Sequence, residues 1–153
     1  FFIRKNCRYQ VDARFRVEPL KSPFEERQLV SLLASNQVCL LVLVDEPGNA
    51  TLRECEMVGK SAPIAVLNVR GIRSSQFHTK KGREQWFGRV EKESMSLIGL
   101  ALGMKPCPYP ICALYSAKGE QELDAKAMNY CPVCDCKVQE LLKARGVKVG
   151  IPK

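Results

Sequence analysis

Histidine is almost absent from this 153-residue chain, His78 being the only one. A catalytic centre that needs two or three imidazoles around one ion cannot be assembled from it. Long apolar runs are also missing. The longest clean one, Val38 to Val44, falls far short of the roughly 20 residues that a membrane helix requires. The start carries no secretory signal pattern, and no internal repeat or low-complexity linker follows. Gly71, Gly82 and Gly99 form no phosphate-cradling loop. The chain opens on Phe1 rather than Met, from which we expect an upstream segment that was processed away or is not represented.

What is present fits one globular domain. The hydrophobic fraction of 46% argues against wholesale disorder, and a chain of this length buries enough surface to fold without disulfides. Twenty-four Lys and Arg against sixteen acids leave a net charge of +8. Six basic and two acidic residues lie in 1–22, seven and two in 69–92, and five and one in 137–153, so the rest of the chain is net acidic. Such lopsidedness points to polyanion-facing surfaces, nucleic acid first and a membrane surface second, with a merely basic exterior as the plain alternative. Arg4, Lys5, Arg8, Arg14 and Arg16 make the start an arm-like candidate for RNA, and Phe1, Phe2, Tyr9 and Phe15 interleave with them. Arg70, Arg73, Lys80, Lys81 and Arg83 form a second candidate cluster.

The pattern of elements predicts an α+β fold. Ser22-Pro23-Phe24-Glu25 reads as a capped helix start, with that helix ending near Ser35-Asn36. Val38 to Val44 reads as a buried strand, residues 51–57 as a polar edge strand and Pro63 to Val69 as a second apolar strand. Arg70 to Gly82 reads as a basic loop. Trp86, Val90, Leu97, Ala101 and Met104 form an apolar stripe that predicts a long helix from Glu84 to Met104, stopped by Gly103 and Pro106. The next twenty-five residues read as irregular, and Cys136 to Arg145 as a last helix capped by Gly146. Glu91 and Glu93 read as solubilising surface acids.

Eight cysteines are many for this length, and five lie in the final third. Cys107-Pro-Tyr-Pro-Ile-Cys112 and Cys131-Pro-Val-Cys134 are two short-spaced pairs with eighteen residues between them. Each tight knuckle can deliver two sulfurs at once, so the four predict one structural zinc in a tetrahedron of thiolates. Reduced cysteines without metal, or disulfides, are the alternatives. Cys136 reads as a bystander, and Cys7, Cys39 and Cys55 as core or surface thiols.

From Ser96 to Cys134 the residues resemble the signature of archaemetzincins, zinc peptidases of the metzincin clan. Their motif runs H-E-x-x-H-x-x-G-x-x-H-C, followed by a C-x4-C pair, a methionine turn and a final C-x-x-C. Gly103, Cys107, Cys112, Cys131 and Cys134 stand at the family's glycine and structural cysteines, and Asp124-Ala-Lys126 with Tyr130-Cys131-Pro132 matches its approach to the last pair. The three catalytic zinc ligands are replaced by Ser96, Leu100 and Pro106, the catalytic acid by Leu97 and the turn methionine by Leu114. The resemblance therefore implies a metzincin-like small mixed sheet, a long former active-site helix and a C-terminal zinc lobe over residues 107–134, all within one domain of residues 23–153 behind the basic arm of residues 1–22. It also implies a pseudoenzyme without peptidase chemistry.

Two roles follow as expectations. One is a non-catalytic, zinc-stabilised structural subunit of an RNA-containing assembly, such as a mitochondrial ribosome. Its partners would be RNA and neighbouring proteins, with no small-molecule substrate and no membrane insertion. The compartment would be reducing, the mitochondrial matrix being the suspected one. The other is a peptide- or protein-binding module whose old cleft is lined by Leu97, Leu100 and Leu114.

Overall fold

The computed structural model describes residues 38–47, 53–56 and 63–147. The arm of residues 1–22, the helix expected from Ser22, and Cys7 lie outside these. Three strands form the described sheet: β1 (Leu40–Val44), β2 (Arg53–Glu56) and β3 (Ile64–Asn68). Their spatial order is β1-β3-β2, with β1 parallel and β2 antiparallel to β3. Leu40 faces Ile64 and Val44 faces Asn68 at the two ends of the parallel pair. All five residues of β3 are buried, which is why this central strand reads as an apolar run from Ile64 to Leu67 ahead of Asn68.

Asn68, at the end of β3, turns the chain. Its Oδ1 accepts from the Arg70 amide at 3.1 Å and the Glu46 amide at 3.4 Å, while its Nδ2 donates to the Glu46 carbonyl. One buried amide thus caps a 3-10 turn at Val69–Ile72 and fastens the exit of β1. The segment expected to be a loop therefore begins as a short helical turn.

The long helix α1 spans Lys80–Ala101, starting a turn before the expected Glu84. Thr79 sets that start, its hydroxyl accepting from the Gly82 amide at 3.0 Å. Gly82 does not break the helix; it lets the preceding turn approach. A Cβ at that position would lie 1.9 Å from the Gln76 carbonyl oxygen. At the far end Gly103, at φ +97°, closes the helix as its spacing predicts, and the Met104 amide donates to the Gly99 carbonyl. Leu97 and Ala101 pack with Ala65, Leu67, Val69, Ile72 and Leu123 in the main core, with Trp86 and Val90 at its margin. Met104 packs instead with the C-terminal clusters.

Two further helices complete the described chain, α2 at Glu120–Ala125 and α3 at Pro132–Ala144. The first lies within the stretch expected to be irregular. Six residues with Leu123 as their one buried side chain give no readable period. The second begins four residues before the expected Cys136, because Pro132 opens it at the first turn and Cys131 is its N-cap residue. Val138 and Leu142 carry its buried face, joining Leu102 in a second core. The described architecture is mixed α+β, with α1 packed against β1, β2, β3 and α2.

Candidate metal centre

The cysteine cluster sits where α1 ends and α3 begins. Cys107 and Cys112 bound a tight loop in which the Cys107 amide donates to the Leu114 carbonyl and the Cys112 amide to the Tyr109 carbonyl, each at 3.0 Å. Cys131 and Cys134 form the second knuckle, on the first turn of α3, where the Asp135 amide donates to the Cys131 carbonyl at 2.8 Å. Two backbone bonds hold the knuckles side by side: Ala113 donates to the Asn129 carbonyl and Ala127 to the Ile111 carbonyl.

The four sulfurs all lie within 4.8 Å of one another, with Cys107 Sγ and Cys131 Sγ 3.9 Å apart. A tetrahedron with metal–sulfur bonds near 2.3 Å has sulfur–sulfur edges of about 3.8 Å, so the separation of that pair suits zinc. Burial pushes the Cys112 and Cys134 thiols above the ordinary range, and the neighbouring sulfurs push the same way. The Cys131 thiol is lowered, chiefly by the Cys134 backbone amide. Crowded thiolates without a cation repel one another, and a divalent ion reverses that balance. The cysteines are positioned to bind one metal ion, and four thiolates in a closed set are a structural zinc site in kind. Cys136, two residues on, is exposed and outside the cluster.

Polar contacts that the sequence pattern did not reveal fix the spacer between the knuckles to α1. Arg89, buried in α1, donates through Nε and Nη2 to the two carboxylate oxygens of Asp124, each at 2.7 Å. It also reaches Glu120 at 2.9 Å and the Ile72 carbonyl. The Arg89 guanidinium holds the Asp124 carboxyl below the usual carboxylate range, with Gln85 helping. Glu93, expected at the surface, is instead buried and faces buried Lys126 at 3.0 Å. Tyr130, next to Cys131, donates its hydroxyl to the Met95 carbonyl at 2.7 Å. It fits there because Gly99 has no side chain; a Cβ would lie 3.0 Å from that hydroxyl. The quoted Asp124-Ala-Lys126 and Tyr130 were the available signal for these contacts, through the family resemblance rather than through period or spacing.

The residues at the motif's catalytic positions lie mostly inside. Ser96 is buried, Leu97 is 2% exposed and Leu114 is 1% exposed, both leucines in the packed core, with Leu100 half-buried between clusters. Leu97 and Leu114 therefore do not line an open groove as expected; both apolar side chains are packed inward. His78 is exposed in the turn before α1, where its carbonyl accepts from Arg83.

Of the candidate RNA contacts, Arg4, Lys5, Arg8, Arg14 and Arg16 lie outside the described residues. Arg70 and Arg73 converge on one carboxylate, Asp45, at 2.8 and 2.7 Å, and hold it in its charged form, Arg70 contributing most. Arg73 also lies 4.4 Å over the Phe77 ring. Lys80, Lys81 and Arg83 are exposed in the first turn of α1.

No family model matches this chain. It is similar to an archaemetzincin from Thermococcus kodakarensis, with 27% identity over 74 residues, which is 48% of this chain and 40% of that protein. Among solved structures it is similar to archaemetzincin from Methanopyrus kandleri, at 26% identity and a TM-score of 0.45, over 52% of this chain and 41% of that one. The chain thus spans about two fifths of the length of each.

Proposed function

We propose that this archaemetzincin-like chain is a zinc-stabilised, non-catalytic structural subunit of a larger, RNA-containing assembly. One contrast carries the reading. The thiol cluster is complete and closed, whereas Ser96, Leu97, Leu100 and Pro106 offer no set of ligands or general base in its neighbourhood. Hydrolysis by a metal-bound water needs an open coordination position and a carboxylate to take the proton. Four cysteines close the coordination sphere, and leucine at 97 can take no proton.

Zinc would then serve the fold. Held by the two knuckles, it would lock the end of α1 to the start of α3 and could contribute on the order of 10 kcal/mol, as structural zinc does in small domains. The surplus of positive charge, with Lys80, Lys81 and Arg83 exposed on one helix end, supports RNA as the larger partner. A mitochondrial ribosome remains the example that suits such a chain.

Density-gradient sedimentation of the endogenous protein tests this. Migration with a heavy particle that collapses on nuclease treatment is expected. Migration as a small species indifferent to nuclease and salt would sink it.

A further inference from the structure

A ladder of aromatic rings runs outward along the start of α1. Arg73 lies over Phe77, whose ring meets Trp86 edge-on at 5.2 Å, and Trp86 in turn meets Phe87 at 4.9 Å. Trp86 is anchored by its Nε1 donating to the Val69 carbonyl at 2.8 Å, so the ring next to Phe87 is fixed in place. Its outer end is open, Phe87 being 59% exposed. Beside it Gly88 sits in the helix interior, where glycine is unfavourable, yet a Cβ there would meet nothing within 4 Å. Nothing in the described fold asks for that glycine.

Charge accompanies the ring. Lys80, Arg83 and Phe87 follow one another at i, i+3 and i+7, which places them on one side of the helix over about 10 Å. The first turn of α1 holds these basic residues and Lys81 but no acid, at the helix end where the backbone dipole already disfavours cations. Glu84 is the one acid in the next turn of that exposed side before Glu91. An anionic partner would offset this concentration of positive charge. A polyanion that also presents flat apolar rings is a single-stranded nucleic acid; duplex RNA keeps its base faces stacked away.

We propose that Phe87 is a stacking platform for an unpaired base of single-stranded RNA, with Lys80 and Arg83 holding the adjoining phosphates. This rests on the RNA reading above and gives it a surface and a strand state. The Phe87 ring supplies the contact and the charge supplies the approach.

The test is fluorescence anisotropy on the full zinc-loaded chain, with a labelled oligouridine and an RNA duplex of equal length, across a salt series. Phe87→Ala is expected to weaken oligouridine binding about 5- to 150-fold, the loss of one base–aromatic stack, with duplex binding and the salt slope unchanged. Phe87→Trp, which keeps a flat face, is expected to retain binding. Replacing Lys80 and Arg83 together by Ala is expected to flatten the single-strand salt slope by about 1.4, two phosphates' worth. Circular dichroism confirms that each variant folds. If Phe87→Ala binds like the parent, or loses duplex binding equally, the stacking platform is overturned while the RNA reading stands, and the face passes to a protein partner. If the parent chain binds neither RNA at any salt, both proposals fall.

Discussion

Lys126 Nζ lies 3.0 Å from Glu93 Oε1, and neither side chain is more than 1% exposed. The pair joins α1 to the spacer between the two cysteine knuckles, and Lys126 also donates to the Tyr115 carbonyl. Desolvating both charges is expensive, so the pair's worth shows mainly when one partner is removed. Glu93→Gln should destabilise the chain by about 3–5 kcal/mol, by leaving a buried ammonium without its counter-charge. Glu93→Leu combined with Lys126→Met should recover a substantial part of that loss in chemical denaturation. Equal destabilisation by single and double variants would show that the ion pair is not the source.

The cysteines should behave as four, not five. Cys131→Ser is expected to abolish zinc retention and melt the segment from Cys107 into α3, whereas Cys136→Ser should leave both zinc content and melting temperature unchanged. Zinc per chain and a thermal melt, before and after chelation, measure this.

At Gly99 the helix packs closely against Leu114 and Tyr130. A Cβ there would sit 2.8 Å from Leu114 Cδ2 and 3.0 Å from the Tyr130 hydroxyl. Gly99→Ala should cost about 1–3 kcal/mol through overpacking, despite alanine's better helix propensity. Tyr130→Phe removes a hydrogen bond to the Met95 carbonyl, worth roughly 1 kcal/mol. Combined with Gly99→Ala it should cost less than the sum, because the clashing oxygen is gone.

Acid should weaken the Arg89–Asp124 contact. The carboxyl's folded value is lowered from 3.8 chiefly by its hydrogen bond from Arg89, so the unfolded chain takes up that proton first. Its contribution is therefore complete above the unfolded value and is lost as pH falls through the lower folded one. Asp124→Asn should flatten the dependence of melting temperature on pH below about 4. An unchanged acid limb would contradict the assignment.

The strands, the long helix with its glycine stop, and the two knuckles were legible because each has a local cause. An aliphatic run from Ile64 to Leu67 marks β3, a three-to-four-residue period marks α1, and short cysteine spacing marks the metal centre. The buried charges were not legible. Glu93 and Arg89 look like any solvent-facing residues of a basic helix until Lys126, Asp124 and Glu120 are brought to them from about thirty residues away. The start of α1 was misplaced for a related reason. Gly82 reads as a breaker in sequence, and only the closeness of Gln76 explains why glycine opens the helix there. Leu97 and Leu114 were read as a groove from their places in a motif, whereas packing placed them in the core.

Native mass spectrometry of the purified chain tests the central claim most directly, by counting zinc ions. One zinc per chain, lost in Cys131→Ser and retained when Ser96 is replaced by Ala, is the expected result. Two zincs per chain would restore a second, catalytic-type centre and contradict the account, and none would remove the structural zinc on which it rests.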